Sequence, residues 1–236
     1  MLNDGQIDLL SPGMNLKQKT SRSFPTRKRK YTLNEGAFEV VTEESAYWVG
    51  FIMADGCISR DGTPDCRKLR INLKASDAGH LQQLRSFLQY EGPVATRDNG
   101  RYCSLEINSA RLASSLRQYG VVEKKSRRAS VVHLDTNLHF WRGMIDGDGT
   151  LYLYKNMYPA LSLCGSEVIL SQFADYVRNV FPFMPKISIR KRASIKQLAV
   201  AGQKAITLTR HFYGDCSIAL DRKLQIAKTI MSLRPD

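Results

Sequence analysis

"YWVGFIMADGCI" at residues 47–58 and "FWRGMIDGDGTL" at residues 140–151 carry one pattern twice. Each is a mostly apolar run that ends in Asp-Gly and continues into a β-prone residue. In the first copy Gly50 and Ala54 stand four residues apart, and in the second Gly143 and Gly147 repeat that spacing. On an α-helix such residues share one face, one turn apart, where a second helix can approach backbone to backbone. A glycine inside a helix costs about 1 kcal/mol relative to alanine, so two of them in the second run suggest a packing return. Phe51, Ile52, Met144 and Ile145 supply apolar flanks. The pattern predicts two helices packed through their small faces. If they run parallel, Asp55 and Asp148 meet at their C-terminal ends.

Two carboxylates at two helix C-termini, each end partially negative, form a spot that raises one carboxylate's pKa unless a cation relieves it. Mg2+ suits one or two carboxylates completed by waters and phosphate oxygens. Such ions can generate a bound hydroxide and stabilise an oxyanion leaving group. One Asp-Gly after a helix is an ordinary stop signal. Two of them, each closing a helix with the same small-residue spacing, single out Asp55 and Asp148 as metal ligands and catalytic groups.

The same order of elements surrounds each copy. Thr42 is the expected N-cap of the first helix, with Glu43 and Glu44 in its first turn and Gly56 as its stop. Downstream, Leu69, Ile71 and Leu73 alternate with Lys68, Arg70, Asn72 and Lys74, which predicts a strand with one apolar and one basic face. A helix capped by Ser76 or Asp77 follows, with Leu81, Leu84 and Leu88 as its stripe. Then come a hairpin around Asn99-Gly100 and a helix stopped by Gly120. In the second copy Asp135 or Thr136 caps the motif helix, and strands, a helix, a hairpin and two closing helices follow. The expected class is α+β, a pseudo-twofold tandem repeat with each half ordered αββαββα. Its boundaries are a basic arm or linker at 1–30, repeats at 31–120 and 135–236, and a linker at 121–134.

The chain has 236 residues, with 35 Lys+Arg against 22 Asp+Glu and a formal net charge of +13. A surplus of that size points to a polyanionic partner, most commonly nucleic acid. Residues on or near the basic strand faces are the candidate contacts: Arg60, Lys68, Arg70, Asn72 and Lys74 in the first repeat, and Tyr152, Tyr154, Lys155, Ser188, Arg190, Arg192 and Lys196 in the second. Arg, Asn and Gln can meet purine edges bidentately, Lys mainly meets phosphate, and a two-stranded ribbon fits the major groove. In the linker, Lys124, Lys125, Arg127 and Arg128 either contact phosphates or keep the segment solvated. The same two readings hold for the run Arg27–Lys30, which also fits a localisation signal.

The five cysteines lack CxxC spacing and are odd in number, which argues against a zinc site and against a disulfide framework. The N-terminus has no signal-peptide pattern, and no apolar run approaches the roughly 20 residues of a membrane helix. The expectation is a reducing intracellular compartment, cytoplasm or organelle interior, with no membrane partner. His80, His133, His139 and His211 have no metal-ligand spacing, and neither a phosphate-cradling glycine loop nor a nucleophile elbow is present.

"WVGFIMADG" and "WRGMIDGDG" resemble the two motifs of the LAGLIDADG family of homing endonucleases, and the resemblance in element order and motif separation covers residues 31–233. The second motif is the cleaner match. Met53 stands where the family name has its first Asp, and Asp146 holds that place in the second copy, so helix-end hydrogen bonding differs between them. The last Asp of each motif, the family's metal ligand, is kept as Asp55 and Asp148. The resemblance implies a monomer with both motif helices at its centre and two four-stranded antiparallel sheets forming a saddle over double-stranded DNA. It implies Mg2+-dependent cleavage with two or more divalent cations, one aspartate serving each strand across the minor groove of a long target, and short 3′ overhangs. It also implies Lys74, near the end of the second strand, as a group that positions the attacking water; Cys164 stands in the corresponding place of the second repeat, which has no obvious equivalent, so Lys74 alone is carried over. A phosphate-contacting or solvated lysine is the other reading of Lys74. The alternative functions on this fold are an intron RNA maturase and a DNA-binding regulator without cleavage. Retention of both final aspartates favours the nuclease. An intein is disfavoured by the start at Met1 and the ending "SLRPD".

Overall fold

The computed structural model describes residues 29–60, 67–122, 130–154, 158–181, 189–192 and 195–233, with backbone alone at 60, 189–192 and 195. By its contacts the chain divides into Met1–Lys30 and Tyr31–Asp236. Of the first unit, Arg29 and Lys30 are described, both at the surface; Arg27 and Lys28 lie outside the described residues.

The second unit starts with helix α1 (Glu43–Asp55). Thr42 closes a capping box on it: its Oγ1 accepts from the Ser45 N–H at 3.1 Å, and the Ser45 Oγ accepts from the Thr42 N–H at 2.7 Å. Strands β1 (Gly56–Arg60) and β2 (Arg67–Lys74), helix α2 (Ala78–Phe87), strands β3 (Ala95–Arg97) and β4 (Tyr102–Asn108) and helix α3 (Ala110–Gln118) complete the first half. Asp77 stands at the start of α2, but its side chain does not cap the helix. It instead accepts from Arg222 Nε at 3.0 Å.

The second half repeats the order: α4 (Leu138–Asp148), β5 (Gly149–Leu153), β6 (Pro159–Gly165), α5 (Glu167–Val180), β7 (Ile189–Arg192), β8 (Ile195–Ala201) and α6 (Gln203–Tyr213), then the closing helix α7 (Asp221–Met231). Asn137 caps α4, not Asp135 or Thr136. Its Oδ1 accepts from the N–H groups of His139 and Phe140 at 2.9 and 3.0 Å, while the Asp135 carbonyl is taken by the Trp141 indole. No helix among the described residues is long and apolar enough to cross a membrane.

Two four-stranded sheets result, ordered β1-β2-β4-β3 and β5-β6-β8-β7, antiparallel throughout. Their registers superimpose. Gly56 pairs with Ile71 as Gly149 pairs with Leu163, and Arg70 pairs with Glu106 as Ser162 pairs with Ala199. The expected alternation on β2 holds: Leu69, Ile71 and Leu73 are buried against the helices, and Arg70, Asn72 and Lys74 are exposed on the other face.

Helices α1 and α4 cross in parallel at the centre. A Cβ placed on Gly50 would lie 2.0 Å from the Phe140 carbonyl oxygen; one on Gly143 would lie 2.1 Å from that of Tyr47; one on Gly147 would lie 2.2 Å from the Ala54 Cβ. The small residues let the two backbones touch, and Trp48, Phe51, Phe140 and Trp141 fill the flanks, all fully buried.

Polar groups also cross this interface. Asp146 is wholly buried and accepts three hydrogen bonds of 2.7 Å, from the hydroxyls of Tyr47 and Tyr213 and the N–H of Leu220. Burial pushes its pKa up, and these three donors oppose the rise. Met53, its counterpart in the first motif, is a buried apolar residue, so the helix ends are bonded differently, as the sequence implied. Because the Tyr47 proton goes to Asp146, the His80 Nε2, 3.0 Å away, is the donor to the Tyr47 oxygen.

Burial lowers the His80 pKa to about 4. The unfolded chain then binds the extra proton first, so stability falls as pH drops from about 6.5 to about 4, by roughly 3 kcal/mol from this group. Denaturant melts at the two pH values should show an acid loss that is smaller by that amount in His80→Gln.

Candidate active site and nucleic-acid interface

The parallel crossing carries both motif aspartates to the same end of the helix pair. The Asp55 Oδ2 lies 3.5 Å from where a Cβ on Gly147 would sit, against the peptide that leads into Asp148. Both aspartates are exposed, and each is the last residue of its helix. The two helix C-termini therefore add partial negative charge to two carboxylates in one place.

A lysine unnoticed in the sequence moderates this charge. Lys223, on α7, is buried and donates from its Nζ to the carbonyl oxygens of Ile145 (2.6 Å), Asp146 (2.6 Å) and Gly149 (2.7 Å). It caps the C-terminus of α4 with a full positive charge. Burial lowers its pKa to about 8, against the opposing pull of the Asp146, Asp55 and Asp148 charges. The signal was present in the chain: Leu220, Lys223, Ala227 and Ile230 form one buried stripe, and a lysine at a stripe position needs acceptors.

The donor set fits a hard cation. Among the described residues no three His, Cys, Asp or Glu side chains converge on a metal position. Mg2+ accepts one or two carboxylates and takes its remaining oxygens from water and substrate phosphate. Asp55 and Asp148 are the residues that would hold it.

Lys74 is exposed at the end of β2, as expected. Its proposed equivalence with Cys164 is corrected by the strand register. Continuing the pairing from Gly56–Ile71 and Gly149–Leu163 makes Asn72 the counterpart of Cys164, and Ser166, the N-cap of α5, the counterpart of Lys74. Counting from the Asp-Gly, rather than from the strand end, would have found this.

The polar face of the first sheet forms an open trough lined by Arg70, Asn72, Arg97, Tyr102 and Glu106. Lys68, partly buried, joins it by an ion pair to Glu106. In the second sheet Tyr152 on β5 and Tyr154 just past its end lie side by side, their hydroxyls 3.0 Å apart. Arg190 and Arg192 occupy the register positions of Ala95 and Arg97 on β7. Lys196 departs from expectation. It falls at the position of buried Cys103, on the same side of β8 as Leu198 and Val200, and pairs with Glu167 at the start of α5. The one-residue phase puts Gln197, not Lys196, on the polar face. The side chain of Arg60 and all of Lys155, Ser188, Lys124, Lys125, Arg127 and Arg128 lie outside the described residues.

No family model matches the chain, and no curated protein sequence matches it. Solved structures do. The LAGLIDADG meganuclease I-AabMI, bound to uncleaved DNA, aligns over 81% of this chain and 90% of its own at 12% identity and a TM-score of 0.57. The LAGLIDADG homing endonuclease I-LtrWI, bound to target DNA, aligns over 80% and 89% at 10% identity and a TM-score of 0.57. I-SmaMI, bound to an uncleaved DNA target with calcium ions, aligns over 81% and 91% at 12% identity and a TM-score of 0.52. At these identities the likeness concerns the backbone architecture, and it spans both halves. With two motif helices crossing in parallel between two four-stranded antiparallel sheets, the chain has the fold of the LAGLIDADG homing endonucleases.

Proposed function

We propose that this chain is a site-specific DNA endonuclease that makes a metal-dependent double-strand break at a long target. The observation that carries the reading is the juxtaposition of Asp55 with the Gly147–Asp148 peptide at the crossing of α1 and α4. Similar structures holding DNA, one of them with calcium ions, support double-stranded DNA as partner and divalent cations as cofactor. The formal charge of +13 agrees.

In this reading Asp55 and Asp148 are the residues that would hold Mg2+. When bound, the cation would supply Lewis acidity and lower the pKa of attacking water. Lys223 fixes the end of α4, so the Asp148 carboxylate is presented from a rigid support. Arg70, Asn72 and Arg97 on the first sheet, and Tyr152 and Tyr154 on the second, meet the duplex on either side. Lys74 lies at the strand end, where it can contact a phosphate or order a water. The molecule acts as a monomer, because one chain supplies both aspartates.

The test is cleavage of a plasmid carrying the native insertion sequence. Purified protein with Mg2+ should linearise it, and chelation should abolish the reaction. Duplex affinity should fall steeply between 50 and 200 mM salt, by about 10^3 or more if six or more phosphates are contacted. Tight, salt-dependent binding without cleavage would instead select the maturase or regulator on the same fold.

A further inference from the structure

Glu106 sits in the middle of a face otherwise built for an anionic partner. It projects from β4 directly opposite Arg70 on β2. Its Oε1 accepts from Arg70 Nε at 3.0 Å and from Arg97 Nη2 at 3.4 Å, and its Oε2 lies 3.5 Å from Lys68 Nζ. Arg97 is held a second time, its Nε donating to Ser104 Oγ at 3.0 Å. Three cations from two strands, Lys68 and Arg70 on β2 and Arg97 on β3, converge on one carboxylate, within the trough that Arg70, Asn72, Arg97 and Tyr102 also line. If the face served only to attract phosphates, this carboxylate would oppose it.

The second sheet lacks the device. At the register positions of Lys68, Arg70 and Glu106 it carries Ala160, Ser162 and Ala199. The cluster is thus a property of one half, not a requirement of the fold.

Resting on the endonuclease reading, we propose that Glu106 is a positioning residue for base readout by the first sheet. It holds Arg70 and Arg97 in fixed orientations and cancels part of their charge. An unrestrained arginine on a DNA-facing strand binds any nearby phosphate. An arginine held through one edge keeps its remaining N–H groups directed into the trough, where they match the O6 and N7 acceptors of guanine. Glu106 therefore trades non-specific affinity for discrimination, and it does so in one half-site only. The half-site under the first sheet takes guanines opposite Arg70 and Arg97. The half-site under the small residues of the second sheet is read without this restraint.

The experiment is a binding selection on a duplex DNA library randomised through the target, without divalent cation, using the full chain and its Glu106→Gln and Arg70→Gln variants. Glu106→Gln should bind unrelated duplex several-fold more tightly, with a salt slope steeper by up to about one unit. It should also lose about tenfold in preference for guanine at base pairs within one half-site, with the other half-site unchanged. Arg70→Gln should lose preference at an overlapping set of base pairs, which localises the effect without relying on Glu106→Gln alone. An unchanged preference in Glu106→Gln, a loss spread evenly over both half-sites, or a loss at base pairs that Arg70→Gln leaves untouched would overturn the role. Failure of the unmodified chain to bind duplex would overturn the endonuclease reading itself, before any variant is compared.

Discussion

Gly143→Ala is expected to destabilise the protein by about 3 kcal/mol or more, although alanine is the better helix former. The added methyl would meet the Tyr47 carbonyl oxygen at 2.1 Å and the Phe51 nitrogen at 2.7 Å. Both are backbone atoms of α1, so no side-chain rotation relieves the contact. Either α4 moves away from α1 along its whole length, or the helix bends. Each outcome also opens the contacts of Trp48, Phe51, Phe140 and Trp141 beside the crossing. In a protein of this size such a loss lowers Tm by roughly 10 °C. The control is Gly79→Ala in α2, where a Cβ would meet nothing within 4 Å. There the substitution should stabilise by about 0.5 kcal/mol through reduced freedom of the unfolded chain. Thermal melts of the two variants should move in opposite directions. A Gly143→Ala melt that does not fall relative to the unmodified chain would mean that the helix crossing is not held by the small residues.

Asp55→Asn and Asp148→Asn should each reduce cleavage by about 10^3-fold, the equivalent of several kcal/mol of charge stabilisation supplied by a bound cation. Neither should weaken duplex binding, since each removes a negative charge from a surface that meets phosphates. Folding stability should stay level or rise by about 0.5 kcal/mol, because an anion at a helix C-terminus opposes the dipole. That combination separates a catalytic role from a structural one: a structural aspartate would cost stability when replaced. The measurements are single-turnover cleavage of a labelled duplex with Mg2+, binding without it, and urea melts. Undiminished cleavage in either variant would remove that aspartate from the site.

The centre of this molecule was legible because its constraint is local. Gly50, Ala54, Gly143 and Gly147 announce a close helix contact by spacing alone, and the aspartates follow one residue after the last small position. The two-residue alternation of β2 assigned its faces for the same reason. Errors arose where a neighbour across the fold decides. Asp77 looked like a cap but is drawn to Arg222, which lies far along the chain. Lys196 looked like a surface cation, yet strand phase turns it to the helix side. The Lys74–Cys164 equivalence assumed strand ends that match, whereas the pairing runs from the Asp-Gly. Glu106 and Arg97 were invisible as a cluster, because register alone sets Arg70 and Glu106 opposite each other. Lys223 needed the docking of α7 on the end of α4 before its burial made sense.

Two buried charges of the second half draw partners from the first. Asp146 takes a hydrogen bond from Tyr47, and Arg142, also buried, reaches Glu43 at 3.1 Å. A chimera that replaced residues 31–122 with the equivalent half of another protein would take from Asp146 one of its three donors and from Arg142 its carboxylate partner, unless the donor brought a tyrosine and an acid to those places. Two copies of the second half joined head to tail would have Met53's place taken by another sequestered carboxylate. Despite its apparent symmetry, the chain is a pair of mutually fitted, non-interchangeable components.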